Sequence, residues 1–242
     1  MISVIIPYTK GDEIREKNLK QLLSNIKKQT YKDYELILVE MLFDKPSELN
    51  IENCNHICLR YPQNDKFNKS WAINVGVRNS KYNGLFVIDS DIMFGDDYFQ
   101  KVVDFAKDNP KFFMGYSKIH CETGRDNPEK RVHVQSYLKA AGGVWYADKD
   151  FFWSIGGMNE TYFGYGAEDN DFWQRANSVL GKVNGLQYEV VHAYHHWHPE
   201  NSHFPLNKER IEKFNIVMSN LGGAIKKLKE YKLGGDTPQK VF

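Results

Sequence analysis

Two aspartates on either side of one serine, Asp89 and Asp91 around Ser90, are the residues of this chain whose types and spacing most clearly indicate chemistry. They come directly after the apolar run Leu85–Ile88, which predicts a buried strand. Open α/β sheets bind ligands beyond the carboxyl ends of their strands, so the pair would face a ligand crevice. Two carboxylates suit a divalent cation, and a cation would in turn bind a phosphate-bearing partner. A solvated turn at the strand end is the alternative interpretation.

A second acidic cluster follows two glycines in the segment 163–171, which reads Phe-Gly-Tyr-Gly-Ala-Glu-Asp-Asn-Asp. Glycines beside Tyr165 would let the backbone approach a ligand closely. The carboxylates of Glu168, Asp169 and Asp171 fall in the first turn of a predicted helix, where the helix dipole favours the ionised form. An ionised carboxylate beside a sugar-binding ring is suited to remove a proton from a hydroxyl group. A capped helix start without chemistry is the alternative.

Four histidines lie in the segment 192–198. His195 and His198 are close enough in sequence to bind one metal ion if the segment turns, and imidazole suits Mn²⁺ or Zn²⁺ alongside a carboxylate. A zinc hydrolase could use the same residues. It would need three firm protein ligands and a metal-bound water, whereas in a nucleotide-sugar enzyme the diphosphate would complete the coordination shell.

The elements that must position these clusters alternate between strand and helix in the first part of the chain. A strand Ile2–Ile6 ended by Pro7, a helix Glu13–Gln29 and a strand Leu36–Val39 form a predicted β-α-β unit, which implies parallel pairing. The first hundred residues therefore predict a doubly wound sheet. The other predicted elements are strands at 56–59, 112–119, 142–147 and 187–191 and helices at 68–78, 97–107, 148–155, 168–180 and 207–231, with a surface loop at 121–130.

Composition limits the class of protein. The chain has 242 residues and 41% hydrophobic content, which predicts one α/β domain with a substantial core. The net charge of +1 gives no reason to expect nucleic acid as a partner. Three cysteines without a Cys-x-x-Cys pair favour a reducing compartment. We find neither a signal peptide nor a run long enough to span a membrane, so we expect a cytoplasmic protein, at most attached to a membrane surface.

Several motifs in order resemble a known family. Ile5-Ile6-Pro7 at the start of a β-α-β unit is similar to the opening of GT-A glycosyltransferases. The segment Phe67–Gly76 followed by Asp89-Ser90-Asp91 resembles the β-1,4-galactosyltransferase family, which has Phe-Asn-Arg and Asn-Val-Gly before Asp-Val-Asp. The resemblance extends from Ser3 to Arg210. Its later parts are the segments 134–137, 142–144, 155–157 and 164–169. The segment 164–169 resembles the family motif Gly-Trp-Gly-Gly-Glu-Asp-Asp-Asp, and His195-x-x-His198 resembles the motif Met-x-x-His.

The resemblance implies a GT-A fold, with a doubly wound, mostly parallel central sheet and a smaller acceptor-side subdomain. It divides one domain, 1–242, into a nucleotide-sugar-binding half (1–110), an acceptor and catalytic half (111–210) and a helical tail (211–242). The loop 121–130 would close over the donor. The basic tail segment 226–232 is predicted to be a solvated helix face, with weak contact to an anionic membrane as the alternative.

Residue roles on the donor side follow from the resemblance alone. Asp91, His195 and His198 would bind Mn²⁺, with Mg²⁺ as the alternative ion. Asp89 and Ser90 would contact the sugar or ribose of the donor. The remaining donor-side residues would be Pro7, Tyr8 and Glu40 around the nucleoside, Arg15, Lys69 and Lys118 near the phosphates, and Asn74.

On the acceptor side, the resemblance makes Asp169 the general base and gives Glu168 contacts to sugar hydroxyls. Tyr165 would stack on a sugar face, and Gly143 and Asp171 would contact the acceptor. The implied reaction is Mn²⁺-dependent, inverting transfer of a hexose or N-acetylhexosamine from a UDP-sugar to a glycan or glycolipid hydroxyl. The alternatives are a retaining GT-A glycosyltransferase, a metal-dependent hydrolase and a glycan-binding module without catalysis.

Overall fold

A computed structural model describes most of the chain. The described residues are 1–43, 47, 49, 51–61, 66–109, 111–122, 132–136, 142–164, 166–186, 192–195 and 208–242, and the description of 121–122, 132–136, 192–195 and 208 is confined to the backbone. The strands are β1 Ile2–Thr9, β2 Tyr34–Leu42, β3 Cys54–Arg60, β4 Gly84–Ile88, β5 Ile92–Met93, β6 Phe112–Met114, β7 Lys118–Glu122, β8 Val132–Ser136, β9 Val144–Asp148, β10 Asn184–Gly185 and β11 His192–His195. The helices are α1 Glu13–Lys28, α2 Lys69–Asn79, α3 Tyr98–Asp108, α4 Lys149–Ser154, α5 Glu168–Leu180, α6 Lys208–Ser219 and α7 Leu221–Lys229.

The central sheet has seven strands in the order β10-β6-β9-β4-β1-β2-β3. β1 pairs in parallel with both β2 and β4, and β2 pairs in parallel with β3. The predicted parallel β-α-β arrangement of the first part is therefore present. β9 lies between β4 and β6 and runs antiparallel to both, which makes the sheet mixed.

Local sequence explains why the parallel strands and their helices form. β1 and β4 are buried along nearly their whole length, as expected for apolar strands covered on both faces. Asp12 caps α1 by accepting a hydrogen bond from the backbone N–H of Arg15 at 2.9 Å. Asn68 caps α2 in the same way through the N–H of Trp71, also at 2.9 Å. These caps fix where each helix begins relative to the strand before it.

The structure differs from the predicted elements at several points. Pro7 lies inside β1 and does not end it, because β1 stays paired with β2 as far as Thr9. Pairing with β4 stops at Ile5, so Pro7 has no partner in that strand. The predicted strand 112–119 is two strands, β6 and β7, that belong to different sheets. The terminal helix breaks at Asn220, whose side chain caps α7 through the N–H of Gly223. The predicted strand 187–191 and most of the loop 121–130 lie outside the described residues.

A second sheet of four strands, in the order β5-β11-β7-β8, was not predicted. β11 pairs in parallel with β7 and antiparallel with β5, while β7 and β8 are antiparallel. β5 follows Asp91 directly, so this small sheet begins at the edge where the Asp89-Ser90-Asp91 segment ends. It therefore brings the histidine-rich strand β11 to that edge.

The C-terminal segment packs back onto the domain. Glu160 accepts hydrogen bonds from the backbone N–H groups of Gly234 at 2.5 Å and Gln239 at 2.8 Å. The indole of Trp71 donates to the carbonyl of Gly235 at 2.8 Å, and Lys227 lies over the ring of Phe242. Nothing in these contacts supports the alternative of a membrane-binding tail. None of the helices in the described ranges combines the length and the apolar character needed to cross a bilayer.

Candidate active site

Lys69 is the centre of an acidic cluster at the carboxyl end of β4. The acidic members of this Lys69 cluster are Asp89, Glu168 and Asp169. Its Nζ lies 2.8 Å from Asp89 Oδ2 and 2.9 Å from Asp169 Oδ2. Asp89 follows β4, Lys69 is the first residue of α2, and Asp169 is the second residue of α5. Three elements that are distant in sequence therefore bring two of the predicted donor-side residues and the predicted base into direct contact.

Hydrogen bonds beneath the cluster hold these elements in place. Asn68 donates its side-chain amide to the carbonyl of Glu160 at 2.7 Å, so the start of α2 is tied to the segment before α5. The backbone N–H of Asp89 donates to the carbonyl of Gly143 at 2.7 Å. The hydroxyl of Tyr116, which sequence reasoning did not single out, donates to the carbonyl of Gly142 at 2.9 Å. The start of β9 is thereby fixed beside the carboxylates.

Glycine is favoured at the two positions just before β9. A Cβ added at Gly142 would lie 2.6 Å from Asp169 Oδ2. Gly143 has φ +80°, in the left-handed region that residues with a Cβ rarely adopt. Gly143, which is predicted to contact the acceptor, therefore has a backbone conformation that disfavours a side chain, and a side chain at Gly142 would displace the Asp169 carboxylate.

Burial controls the ionisation of the cluster. It raises the pKa of Asp169 to about 7, with Glu168 and Asp89 adding to the rise and Lys69 opposing it. Burial also raises the pKa of Glu168, again against Lys69. For Lys69, burial alone would lower the pKa, but Asp169, Asp89 and Glu168 outweigh it and hold the pKa well above its usual value. Lys69 is therefore an ammonium ion at neutral pH, and Asp169 has a pKa suited to general base catalysis there.

Two carboxylate oxygens of the cluster are available to a ligand. Glu168 Oε2 and Asp169 Oδ1 are buried, and neither has a hydrogen-bond partner within the part of the chain that the structure describes. Buried polar atoms almost always have partners, so donors from a ligand would complete these two. Hydroxyl groups of a sugar are such donors. Arg210, whose guanidinium donates to the carbonyl of Phe163, contributes positive charge near Glu168.

The strand register places a predicted metal ligand next to Asp91. Asp91 is 7% exposed and precedes β5, and His195 of β11 is the backbone partner of Ile92 in that strand. A buried carboxylate beside a histidine-bearing strand fits a divalent cation that accepts oxygen and nitrogen ligands. The other predicted ligand, His198, and the predicted sugar platform, Tyr165, lie outside the described residues.

The other predicted donor-side residues differ in how accessible they are. Pro7 and Tyr8 are buried near the carboxyl end of β1, where burial raises the pKa of Tyr8 to about 12. Arg15 is half-buried in the first turn of α1, and Ser90 is half-buried between the two aspartates. Lys118 is exposed on β7. In the part of the chain that the structure describes, none of these residues forms a hydrogen bond with the Lys69 cluster.

Glu40 and Asn74 do not have the predicted role of contacting the donor. Glu40 is fully buried, and its carboxylate accepts hydrogen bonds from Ser47 and His56. Asn74 is also fully buried, where its amide donates to Met158 O and Glu160 Oε1, both at 2.8 Å. Because their hydrogen bonds go to other residues of the protein, these side chains stabilise the fold and are not available to a sugar donor.

Asp171 requires the same correction. It is fully buried and accepts hydrogen bonds from Arg175 Nε at 2.5 Å and Asn159 Nδ2 at 2.9 Å, so it does not face an acceptor. Arg175, equally buried, also donates to the carbonyls of Ile155 at 2.6 Å and Gly157 at 2.8 Å. The pair fastens α5 to the turn after α4.

Replacing Arg175 by methionine should therefore destabilise the protein strongly. The Arg175→Met variant removes the positive charge that pairs with the buried Asp171 carboxylate and the donor of two carbonyl groups, so we expect the free energy of unfolding to fall by about 3–5 kcal/mol. Denaturant unfolding at equilibrium measures this change. Arg175→Lys is the matched control because it keeps the charge and should lose less. A loss below about 1 kcal/mol for Arg175→Met would contradict the role assigned to the pair.

Ala167 carries backbone strain immediately before Glu168 and Asp169. It precedes α5 with φ +74° and ψ −25°, a left-handed conformation at a position where the resembling family has glycine. Because that conformation costs a residue with a Cβ about 1 kcal/mol, we expect Ala167→Gly to raise the free energy of unfolding by about that amount. Ala176→Gly, in the interior of the same helix, should instead lower it by about 1 kcal/mol. Denaturant unfolding of both variants measures the two signs, and a destabilised Ala167→Gly variant would contradict the assignment of strain.

Comparison with known proteins gives a consistent result. A family model described as the N-terminal domain of galactosyltransferase matches residues 124–199, a range that contains Asp169, His195 and His198. The xylosylprotein 4-beta-galactosyltransferase of Caenorhabditis elegans is 28% identical over 159 residues, which are 62% of this chain. The chain spans about half the length of this curated relative, 50%.

Two solved structures share the fold. A mutant of Drosophila β-1,4-galactosyltransferase 7, in complex with manganese, UDP-Gal and xylobiose, has a TM-score of 0.56 and 16% identity, with 87% of this chain and 78% of that chain covered. S. aureus TarS 1–349 in complex with UDP-GlcNAc has a TM-score of 0.65 and 13% identity, with 94% and 70% covered. The predicted GT-A fold is thereby confirmed, and part of the chain is similar to β-1,4-galactosyltransferases.

Proposed function

We propose that this chain is an inverting glycosyltransferase that moves a hexose or N-acetylhexosamine from a UDP-sugar to a hydroxyl group of a glycan acceptor. The observation that carries the proposal is the contact of Lys69 with both Asp89 and Asp169. The ammonium group of Lys69 thereby joins a predicted donor-side carboxylate to a predicted base whose pKa is about 7. The similar proteins support the substrate class, because their structures contain UDP-Gal with xylobiose in one case and UDP-GlcNAc in the other.

The reaction needs one base and one leaving group on opposite sides of the sugar. Asp169 removes the proton of the acceptor hydroxyl, and that oxygen forms a bond to the anomeric carbon of the donor. The bond from the anomeric carbon to the diphosphate oxygen breaks, and UDP leaves with the electron pair. Because attack and departure are in line, the configuration at the anomeric carbon inverts. Glu168 lies beside Asp169 in the first turn of α5, where it would help to orient the acceptor.

Lys69 serves both halves of this reaction. Its ammonium group is held by Asp89 and Asp169, so it lies between the donor side and the base. Its positive charge keeps the pKa of Asp169 from rising further and would attract the diphosphate of the donor. The two buried oxygens without partners, on Glu168 and Asp169, would accept hydrogen bonds from sugar hydroxyls.

A divalent cation fits the site beside this cluster. Asp91, His195 and His198 would hold Mn²⁺, or Mg²⁺ in its place, and the Drosophila structure with UDP-Gal contains manganese. When bound, the ion neutralises the negative charge that develops on the departing diphosphate. The assignment is supported by the place of Asp91 between β4 and β5 and by the backbone pairing of His195 with Ile92.

A thermal-shift screen tests the proposal. UDP, UDP-Gal, UDP-GalNAc, UDP-GlcNAc and UDP-Glc are each added with Mn²⁺, and with Mn²⁺ plus a chelator. A ligand near a hundred times its Kd should raise Tm by about 5 to 10 °C, and the chelator should abolish the shift. Asp91→Asn should also lose it, whereas Asp96→Asn, an exposed aspartate after β5, should keep it. No shift with any UDP compound in the presence of Mn²⁺ would contradict the proposal and favour a hydrolase.

A further inference from the structure

Three side chains of different chemical type converge at the edge of the central sheet, outside the Lys69 cluster. His56 Nε2 lies 2.9 Å from Glu40 Oε2 and 3.8 Å from Cys58 Sγ. One donor atom from each of the three side chains lies within 4.8 Å of the other two. Glu40 is buried, His56 is half-buried and Cys58 is exposed, so the group is open to solvent on the cysteine side.

The register of the sheet produces this convergence. β2 and β3 pair in parallel with Glu40 opposite Cys58 and Leu38 opposite His56. Successive side chains of a strand alternate between faces, so His56 and Cys58 lie on one face of β3, and Glu40 lies beside Cys58 on the same face. Ser47 then supports the carboxylate, because its backbone N–H donates to Glu40 Oε1 at 3.1 Å and its hydroxyl donates to the same oxygen.

A catalytic relay does not explain the arrangement. In a relay, the cysteine and the carboxylate would contact different nitrogens of the imidazole, so that a proton could pass through the ring. Here both Glu40 and Cys58 lie against the same nitrogen, Nε2. Partial burial and the charge of Glu40 raise the pKa of the Cys58 thiol, which is the opposite of what an activated nucleophile needs.

We propose that Glu40, His56 and Cys58 form a binding site for Zn²⁺ that is separate from the site of sugar transfer. Around a tetrahedral zinc ion, the nitrogen, oxygen and sulfur ligand atoms of this set would lie about 3.3 to 3.5 Å apart, given bond lengths of about 2.0 Å to nitrogen and oxygen and 2.3 Å to sulfur. The observed separations of 2.9 and 3.8 Å require only small adjustments. A solvent molecule would complete the shell on the exposed side.

The ligand set also determines which ion is preferred. A thiolate with an imidazole favours Zn²⁺ over Mn²⁺ or Mg²⁺, whereas the site proposed at Asp91 has no sulfur ligand. The hydrogen bonds from Ser47 to Glu40 supply the outer-shell support that metal ligands usually have. Binding would fasten the edge strand β3 to β2 and displace the thiol proton of Cys58 into solvent.

Titration of the full chain with Co²⁺, under reducing conditions and after removal of metals, tests the proposal. Co²⁺ bound to a thiolate gives an intense near-ultraviolet charge-transfer band, which the ligands Asp91, His195 and His198 would not produce. We expect one equivalent of Co²⁺ to give this band and Zn²⁺ to abolish it by displacement. Cys58→Ser should remove the band, and the surface position of Cys58 makes misfolding of this variant a small concern.

Two control variants make the result decisive. Cys54→Ser removes another cysteine from the same strand, and Asp91→Asn removes the proposed Mn²⁺ ligand, so both should retain the band. Cys58→Ser should also weaken Zn²⁺ binding, measured calorimetrically, by at least about tenfold. Absence of the band in the unmodified protein, its persistence in Cys58→Ser, or its loss in Asp91→Asn would each overturn the proposal. Because Asp91→Asn is tested separately with UDP, failure here leaves the proposed sugar transfer unaffected.

Discussion

Replacing Asp169 with asparagine is expected to lower kcat by about a thousandfold while the protein still binds UDP, because asparagine cannot accept the proton of the acceptor hydroxyl. The variant preserves size and leaves the contact of Lys69 with Asp89 intact. In the unmodified enzyme, burial raises the pKa of Asp169 to about 7, and only the ionised form acts as a base. The kcat/KM should therefore fall about tenfold per pH unit below that value, and the residual activity of Asp169→Asn should lose this dependence.

Asp148 provides a matched control for this prediction. Burial also raises its pKa, but it pairs with Gly84 at the other end of β4 and lies far along the sheet from the site. Asp148→Asn should therefore leave kcat and its pH profile unchanged. Steady-state kinetics from pH 5.5 to 9, a range set to bracket the pKa of about 7, measures both variants. If Asp169→Asn kept most of the wild-type kcat, the role of Asp169 as the base would be contradicted.

Replacing Lys69 with methionine is expected to lower kcat/KM at pH 7 by about a hundredfold and to move its acidic limb to higher pH. Without the ammonium group, burial and the charges of Glu168 and Asp89 raise the pKa of Asp169 further, so less of the base is ionised at neutral pH. Each unit of upward shift costs about tenfold at pH below the new pKa. Part of the activity should return as the pH is raised, because the base then ionises.

Lys69→Arg separates this effect from simple loss of packing. Arginine keeps the charge between Asp89 and Asp169, so the apparent pKa should stay near 7 even if the geometry lowers kcat. The pH profiles of kcat/KM for both variants give the comparison. An acidic limb in Lys69→Met that stays in place or moves to lower pH would show that Lys69 does not control the ionisation of the base.

The parallel part of the fold was predictable from the sequence because its signals are local. Long apolar runs mark β1, β2 and β4, and capping residues such as Asp12 and Asn68 mark the helix starts. The second sheet has no such signal, because β5 has two residues and its strands pair with partners distant in sequence. β9 was expected as a strand, but its insertion between β4 and β6 was not expected, because it too pairs with partners that are distant in sequence.

The sequence indicated the residues of the candidate site better than it indicated the contacts between them. The contact between Lys69 and Asp169 joins residues 100 positions apart, and nothing local in the sequence indicates it. The error at Asp171 was avoidable, because residues two positions apart on a helix point about 200° away from each other. With Asp169 in contact with Lys69, Asp171 points to the other side of α5, where Arg175 neutralises it. Asn74 and Glu40 gave no comparable warning, since their burial depends on the packing of distant segments.

The most direct test of the account is the anomeric configuration of the product. With the α-linked UDP-sugar that gives the largest Mn²⁺-dependent thermal shift and an acceptor that supports turnover, the coupling constant of the new anomeric proton is read by NMR. Direct attack by a hydroxyl that Asp169 deprotonates predicts a β-linked product, because each transfer inverts the configuration once. An α-linked product would contradict the single displacement and, with it, the role of Asp169 as the general base.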